Sequence, residues 1–251
     1  MYRSQTGPSG ADPVLLLHGG GVAGWMWDDL RARLETTHRV IVPDLPGHGR
    51  SAGEPYVSHT RTLELLRRDV EPIAARRPLS IVGFSLGAQL GIRAASEWRG
   101  LVRRVAAVSA QAKPLPFSAL TLRALKLTAP LARQRWFAQL QAKELFIPPR
   151  LMEDYIATSA AITVPTLLAA VGDNIAFRVP SGWSSFAGSA LVMVGSTERR
   201  LMRDSAEAIR AALPTCALEM VSGCGHGIPL QRPEWFAERI SAWLAEGPAH
   251  R

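Results

Sequence analysis

Short runs of apolar residues recur along the chain and alternate with amphipathic stretches. Strands that are buried on both faces are apolar at nearly every position, and strands that alternate with helices are typical of a parallel sheet. The pattern therefore predicts an α/β fold built from βαβ units. The predicted strands span residues 14–17, 40–42, 79–82, 105–108, 191–194 and 218–221.

Helical periodicity fills the spaces between these runs. Pro233 is placed to begin the last helix and Gly247 to end it, since proline is favoured in the first turn and glycine just beyond the last. The predicted helices include residues 27–34, 63–75, 202–213 and 233–244.

The alternation breaks once, between Ala110 and Ala190. This stretch has no strong strand run, and prolines at 130, 148, 149 and 165 separate its amphipathic segments. A connection of this length is too long for a simple loop. We expect a helical cap at 111–189 over the strand ends, inserted into a core formed by 1–110 and 190–251; extra scaffold helices on a sheet face are the alternative.

One pentapeptide carries candidate chemistry: Gly83-Phe84-Ser85-Leu86-Gly87. It follows the predicted strand 79–82 and precedes a stretch of small residues with helical spacing. A serine at such a strand-to-helix turn forms a nucleophile elbow, in which the flanking glycines let strand and helix pass closely. A pentad of this kind arises by chance about one time in ten in a chain of this length, so its context must support it.

A serine nucleophile needs a base and an acid that orients the base. When the serine comes first along the chain, the acid follows and the histidine comes last. His226, flanked by glycines after the final predicted strand, is the predicted base, ahead of the other histidines, at 18, 38, 48, 59 and 250. Glu198, three residues after Gly195, is the predicted acid. Asp204 and Asp173 remain alternatives, and Glu198 could instead pair with a neighbouring arginine at 199 or 200.

The negative oxygen of an acyl-transfer intermediate needs backbone N–H donors. We predict one from Leu86, directly after the serine, and one from Gly20 in the glycine-rich turn after strand 14–17, with Val22 as an alternative. The predicted substrate contacts are Gly19, Gly21, Trp25 and Phe84.

Composition and charge limit the remaining choices. The 251 residues are 47% hydrophobic and carry a net charge of +8, much of it at positions 113–150. This basic stretch is either a solvated helix face or a surface for an anionic partner such as an acidic carrier protein. No nucleic-acid-binding motif, signal-peptide core or long apolar run accompanies it, and the two cysteines suit a reducing compartment, so we expect a cytoplasmic protein that neither binds nucleic acid nor spans a membrane.

The chain resembles the α/β-hydrolase superfamily, in particular its small single-cap branch. The resemblance rests on the elbow, on His226 and on the segment Pro43-Asp44-Leu45-Pro46-Gly47-His48-Gly49-Arg50-Ser51. The resemblance implies a doubly wound, mostly parallel sheet of about seven strands flanked by helices, with an inserted helical cap. It also implies structural roles for Asp44 and His48. Two departures are a shortened N-terminal hairpin, to which residues 2–6 contribute a strand, and Glu198 where aspartate is commoner.

The resemblance implies hydrolysis of a small-molecule carboxylic ester by Ser85, His226 and Glu198 through an acyl-enzyme, without cofactor or metal, in a monomer or homodimer. The alternatives are a carrier-linked ester or thioester hydrolase, a carbon–carbon bond hydrolase, a lactonase, and a receptor that binds a ligand without turnover. Apolar residues of the insertion either line an acyl pocket or form the core of the cap: Leu120, Leu122, Leu125, Leu127, Leu140, Phe146 and Ile156.

Overall fold

A seven-stranded sheet in the order β1-β3-β2-β4-β5-β6-β7 forms the centre of the protein. All neighbouring strands are parallel except β1, which pairs antiparallel with β3. This confirms the predicted fold class, and β1 is the strand expected within residues 2–6. The strands are β1 (Arg3–Thr6), β2 (Pro13–Leu17), β3 (Arg39–Pro43), β4 (Leu79–Phe84), β5 (Val102–Val108), β6 (Ser189–Gly195) and β7 (Ala217–Val221).

The computed structural model describes residues 1–129 and 134–246. The predicted helix stop at Gly247, the separator Pro130, the basic residue Arg133 and the alternative base His250 lie outside the described residues.

The α-helices lie between the strands and in the insertion. The predicted helix 63–75 begins earlier, at His59, because the Ser58 hydroxyl accepts a hydrogen bond from the Arg61 N–H and caps the helix. The helices are α1 (Asp28–Leu34), α2 (His59–Ala74), α3 (Leu86–Glu97), α4 (Ser118–Thr128), α5 (Arg135–Glu144), α6 (Met152–Ala161), α7 (Val164–Ala176), α8 (Arg200–Ala212), α9 (Ile228–Gln231) and α10 (Pro233–Ala245).

Both faces of the sheet are buried along strands β2 to β6, as the continuous apolar runs predict. Along β2, Leu15 and Leu17 belong to one hydrophobic cluster, whereas Val14 and Leu16 belong to the other. Successive side chains of a strand point to opposite faces, so an apolar residue is needed at each position. The sheet is therefore a rigid platform whose strand ends hold the loops discussed below.

In the described part of the segment between β5 and β6, the structure has the α-helices α4 to α7, where the sequence predicts helices. Helix α4 packs against α7, and α5 packs against α6. The expectation that the apolar residues of this insertion line a pocket or form its core is wrong for Leu120, Leu127 and Leu140, which are exposed; Leu127 is 83% exposed.

Among the described helices, none alone has the length and apolar character needed to cross a membrane. One pair of helical segments, Pro149–Ala161 and Val164–Ala176, meets that test together by length and composition, with a bend of 101° between them.

Candidate active site

Ser85 occupies a strained turn between β4 and α3. Its φ of 52° and ψ of −111° are unfavourable for a residue with a side chain. A Cβ at Gly83 would lie 2.3 Å from the Gly87 carbonyl oxygen, and one at Gly87 would lie 2.1 Å from the Leu17 carbonyl oxygen. Both glycines are therefore required by close backbone packing, as the elbow pattern predicts.

The structure brings the predicted serine, histidine and acid into one hydrogen-bonded chain. His226 Nε2 lies 3.2 Å from Ser85 Oγ, and His226 Nδ1 lies 2.9 Å from Glu198 Oε2. Both distances are within the range needed for proton transfer and for orientation of the ring. A base in this position can take the serine proton while the carboxylate stabilises the imidazolium that forms.

The carboxylate of Glu198 is buried and well supplied with donors. Its Oε1 accepts hydrogen bonds from the Gly195 N–H at 2.8 Å and from the Ser109 hydroxyl at 2.7 Å. Burial acts to raise the pKa of Glu198, but the contacts with His226, Gly195 and Ser109 outweigh it and hold the pKa below its ordinary value. Glu198 is therefore a buried anion facing the imidazole.

The two alternative acids have other partners. Asp204 pairs with Arg200 one turn away on α8, and Asp173 accepts a hydrogen bond from the backbone N–H of His59 and contacts its Nδ1. The structure places neither of them beside His226 in the way that it places Glu198.

His18 holds the glycine-rich loop in place. Its ring is fully buried; Nε2 accepts the Leu45 N–H at 2.8 Å, and Nδ1 donates to the Gly19 carbonyl oxygen at 2.8 Å. Burial, with a smaller effect of His48, lowers the pKa of His18 to about 3, so the ring stays neutral and can accept from one nitrogen and donate from the other. Asp44 supports the same region by accepting the N–H groups of Gly24 and Arg50, which agrees with a structural role.

A cavity of about 360 Å³ opens beside Ser85. Gly20 and Leu86, the predicted oxyanion donors, both line it, and so does Gly21. The alternative donor Val22 is buried in the core. The other lining residues are His48, Gln141, Glu144, Leu145, Tyr155, Ile162, Leu167, Ala170, Val171 and Asn174.

The remaining predicted substrate contacts, Gly19, Trp25 and Phe84, do not line this cavity. Gly19 and Phe84 pack against each other, and the Phe84 ring lies 5.2 Å from the His226 ring between centroids. Trp25 lines a separate, larger cavity of about 460 Å³, and its indole N–H donates to the Thr158 hydroxyl. The larger cavity does not include Ser85, so its size does not mark it as the reaction site.

The insertion contacts the loop that carries His226. A Cβ at Gly227 would lie 2.0 Å from the Leu145 carbonyl oxygen, and one at Gly225 would lie 2.5 Å from the Phe146 ring. The glycines on both sides of His226 therefore allow residues 145–146 to pack directly against the loop.

Sequence reasoning missed Ser109 and the polar residues of the cavity wall. The sequence analysis identifies no residue at the end of strand 105–108 as a donor to the acid. The sequence feature that could have identified Ser109 is its place directly after a strand that neighbours the strand preceding Ser85. His48 was given only a structural role, although it lines the cavity. Nothing in the sequence brings Gln141, Glu144 or Asn174 to Ser85, because their helices are positioned by packing.

No group of three or more histidine, cysteine, aspartate or glutamate side chains that could hold a metal occurs within residues 1–129 and 134–246. Both cysteines, at 216 and 224, are buried free thiols.

The sequence matches the model of the alpha/beta hydrolase family over residues 14–239, and the chain belongs to this family. It is 28% identical over 98% of its length to part of the polyketide synthase ThaQ of Burkholderia thailandensis, and the match covers 12% of that protein. It is 33% identical over 43% of its length to a pimeloyl-[acyl-carrier protein] methyl ester esterase of Vibrio vulnificus, covering 40% of it. The chain thus spans less than half of either curated relative.

Among solved structures, a thermophilic esterase from Thermogutta terrifontis superposes with a TM-score of 0.80 at 22% identity, covering 97% of this chain and 92% of the esterase. At that identity the likeness establishes a shared fold.

Proposed function

We propose that the protein is a serine hydrolase that cleaves carboxylic esters through an acyl-enzyme. The observation that carries the proposal is the hydrogen-bonded chain Ser85–His226–Glu198, with Ser85 at the wall of a cavity. Fold membership alone does not fix an activity, so the argument rests on this geometry.

In the first step, His226 Nε2 takes the proton of Ser85 Oγ while that oxygen attacks the ester carbonyl carbon. Glu198 stabilises the resulting imidazolium. The backbone N–H groups of Gly20 and Leu86 stabilise the oxyanion of the tetrahedral intermediate. His226 then gives the proton to the departing alcohol oxygen, and the acyl group remains on Ser85.

In the second step, His226 deprotonates a water molecule, which attacks the acyl-enzyme. The tetrahedral intermediate collapses, the carboxylic acid leaves, and the proton returns to Ser85.

The cavity wall favours a largely apolar substrate, since Leu145, Ile162, Leu167 and Val171 face it. We assign the helices between β5 and β6 the role of a cap, because residues 141–174, which include parts of α5, α6 and α7, supply most of this wall.

Covalent labelling tests the proposal. A fluorophosphonate probe is expected to modify the protein with one label per chain and to inactivate it, because activated serines attack phosphorus as they attack an ester carbon. Peptide mass spectrometry should place the label on Ser85, and Ser184→Ala, which removes an exposed serine, should not change the labelling rate. Ligand binding without labelling or turnover would instead indicate a receptor.

A carrier-linked ester is a second candidate substrate. Residues 98–143 contain no acidic residue, and Arg123 and Lys126 are exposed on α4, which packs against the cavity-lining helix α7. An acidic carrier protein is complementary to such a surface. The acyl-carrier methyl ester esterase and the polyketide synthase among the relatives agree with this candidate.

The comparison of free and carrier-bound esters separates the two candidates. If a carrier docks here, the double variant Arg123→Glu/Lys126→Glu should raise KM for the carrier-bound ester about tenfold or more at low salt and leave the free ester unaffected. Arg76→Glu, which changes an exposed residue between α2 and the start of β4, is the control. If the KM for the carrier-bound ester is the same in the double variant as in the wild type, docking at α4 is excluded.

A further inference from the structure

Ser109 stands directly after β5 and has a positive φ, as Ser85 does. Its φ is 52°, and its N–H donates to the Met193 carbonyl oxygen at 2.8 Å. The register between β4 and β5 pairs Phe84 with Val108, so the two serines follow paired residues at neighbouring strand ends. Two adjoining parallel strands are thus each followed by a serine with a positive φ.

The strained turn directs the Ser109 side chain towards Glu198. The residue is buried, and its hydroxyl lies 2.7 Å from Glu198 Oε1. An ionised carboxylate can only accept, so the hydroxyl must be the donor. A left-handed conformation is unfavourable for serine and persists where surrounding structure enforces it. Here the conformation keeps a donor on the buried carboxylate.

We propose that Ser109 is a positioning residue for the reaction. Together with the Gly195 N–H, its hydroxyl holds Oε1 of Glu198, which leaves Oε2 directed at Nδ1 of His226. This inference rests on the proposed serine mechanism. Ser109 is not among the residues that line the cavity, so it acts on the reaction through Glu198.

Loss of the hydroxyl changes two properties of Glu198. The carboxylate is less firmly oriented, which slows proton transfer at His226. It also keeps more of its negative charge for the imidazole, because a hydrogen-bond donor to a carboxylate withdraws part of that charge. Activity requires the unprotonated imidazole, so the acid limb of the kcat profile should move to higher pH.

The other ionisable groups that face Glu198 are all retained when Ser109 is substituted. They are His226 and Cys224 on the loop after β7, and Arg203 on α8, whose guanidinium donates to the Glu198 carbonyl oxygen.

Two variants separate the hydroxyl from the backbone strain. Ser109→Ala removes the hydroxyl and keeps the strain, whereas Ser109→Gly removes both, since glycine adopts a positive φ freely. Both variants should lower kcat about tenfold and leave KM unchanged, in line with the loss of one hydrogen bond to a charged group. Both should also move the acid limb of the kcat profile to higher pH by the same amount. The glycine variant should have the higher Tm of the two.

Wild-type kcat and pH profile in both the alanine and the glycine variants would overturn the inference, and so would a glycine variant with full activity beside an impaired alanine variant. The Ser85→Ala variant distinguishes the two levels of the argument. If Ser85→Ala is inactive while Ser109 variants behave as wild type, this inference alone fails; if Ser85→Ala retains full activity, the serine mechanism itself fails.

Discussion

Replacement of Ser85 by alanine is expected to lower kcat for a carboxylic ester about 10⁶-fold, to a rate set by the binding site and the oxyanion donors alone. Alanine removes the attacking oxygen and fits the space that the serine occupies. Because Ser85 and His226 act as one unit, His226→Ala should cause a loss of similar size. Initial rates with a chromogenic ester, supplemented by single-turnover measurements, would determine both values.

The double variant gives the sharper test. Ser85→Ala/His226→Ala should be no slower than either single variant, because each single change already removes the nucleophilic pathway. Losses that multiply would indicate that the two residues act independently and would contradict the hydrogen-bonded pair seen at 3.2 Å. Circular dichroism of each variant controls for loss of fold.

Replacement of Glu198 by glutamine is expected to lower kcat about 10⁴-fold, the size of effect known when the acid of a serine–histidine pair becomes an amide. Glutamine preserves the shape but carries no charge to stabilise the imidazolium. Its amide N–H can also donate to Nδ1 of His226, which favours the wrong tautomer. Asp204→Asn on α8 is the matched control and should retain wild-type kcat. A similar loss in that control would contradict the assignment of the acid.

The same glutamine variant should change the dependence of stability on pH. The folded state holds the pKa of Glu198 below its ordinary value, so the ionised group stabilises the fold above the pKa of the unfolded state. This stabilisation is lost as the pH falls through the folded-state pKa. Urea unfolding across the acidic range should therefore show a weaker dependence in Glu198→Gln than in the wild type, and parallel curves would contradict this linkage.

Local patterns predicted the parts of the protein that depend on the nearby chain. The apolar runs located six strands, with their ends within three residues of the observed ones, because most of these strands are buried on both faces and need apolar side chains throughout. The spacing of glycines around Ser85 and His226 was equally informative, since close backbone contacts there exclude any Cβ. The predictions of Ser85, Glu198 and His226 depended on their places in the sequence after the strands β4, β6 and β7.

The parts that depend on distant packing were not predictable from the sequence. Trp25 was expected at the substrate, but it lines another cavity because its indole donates to Thr158, 133 positions away. The exposed leucines of α4 and α5 have helical spacing that indicates burial, yet no described element covers Leu127. Ser109 was passed over because a lone serine after a strand has no distinctive pattern until its partner is known.

The packing of residues 145–146 against the glycines beside His226 has a consequence for how this protein can be re-engineered. Leu145 and Phe146 of the insertion pack so closely against the loop carrying His226 that the neighbouring glycines cannot carry a Cβ. An insertion transplanted from another member of the family would have to reproduce these contacts. Otherwise it would displace the loop that carries His226. We therefore expect that the insertion between β5 and β6 cannot be exchanged as an independent module and that the loop carrying His226 must be transferred with it.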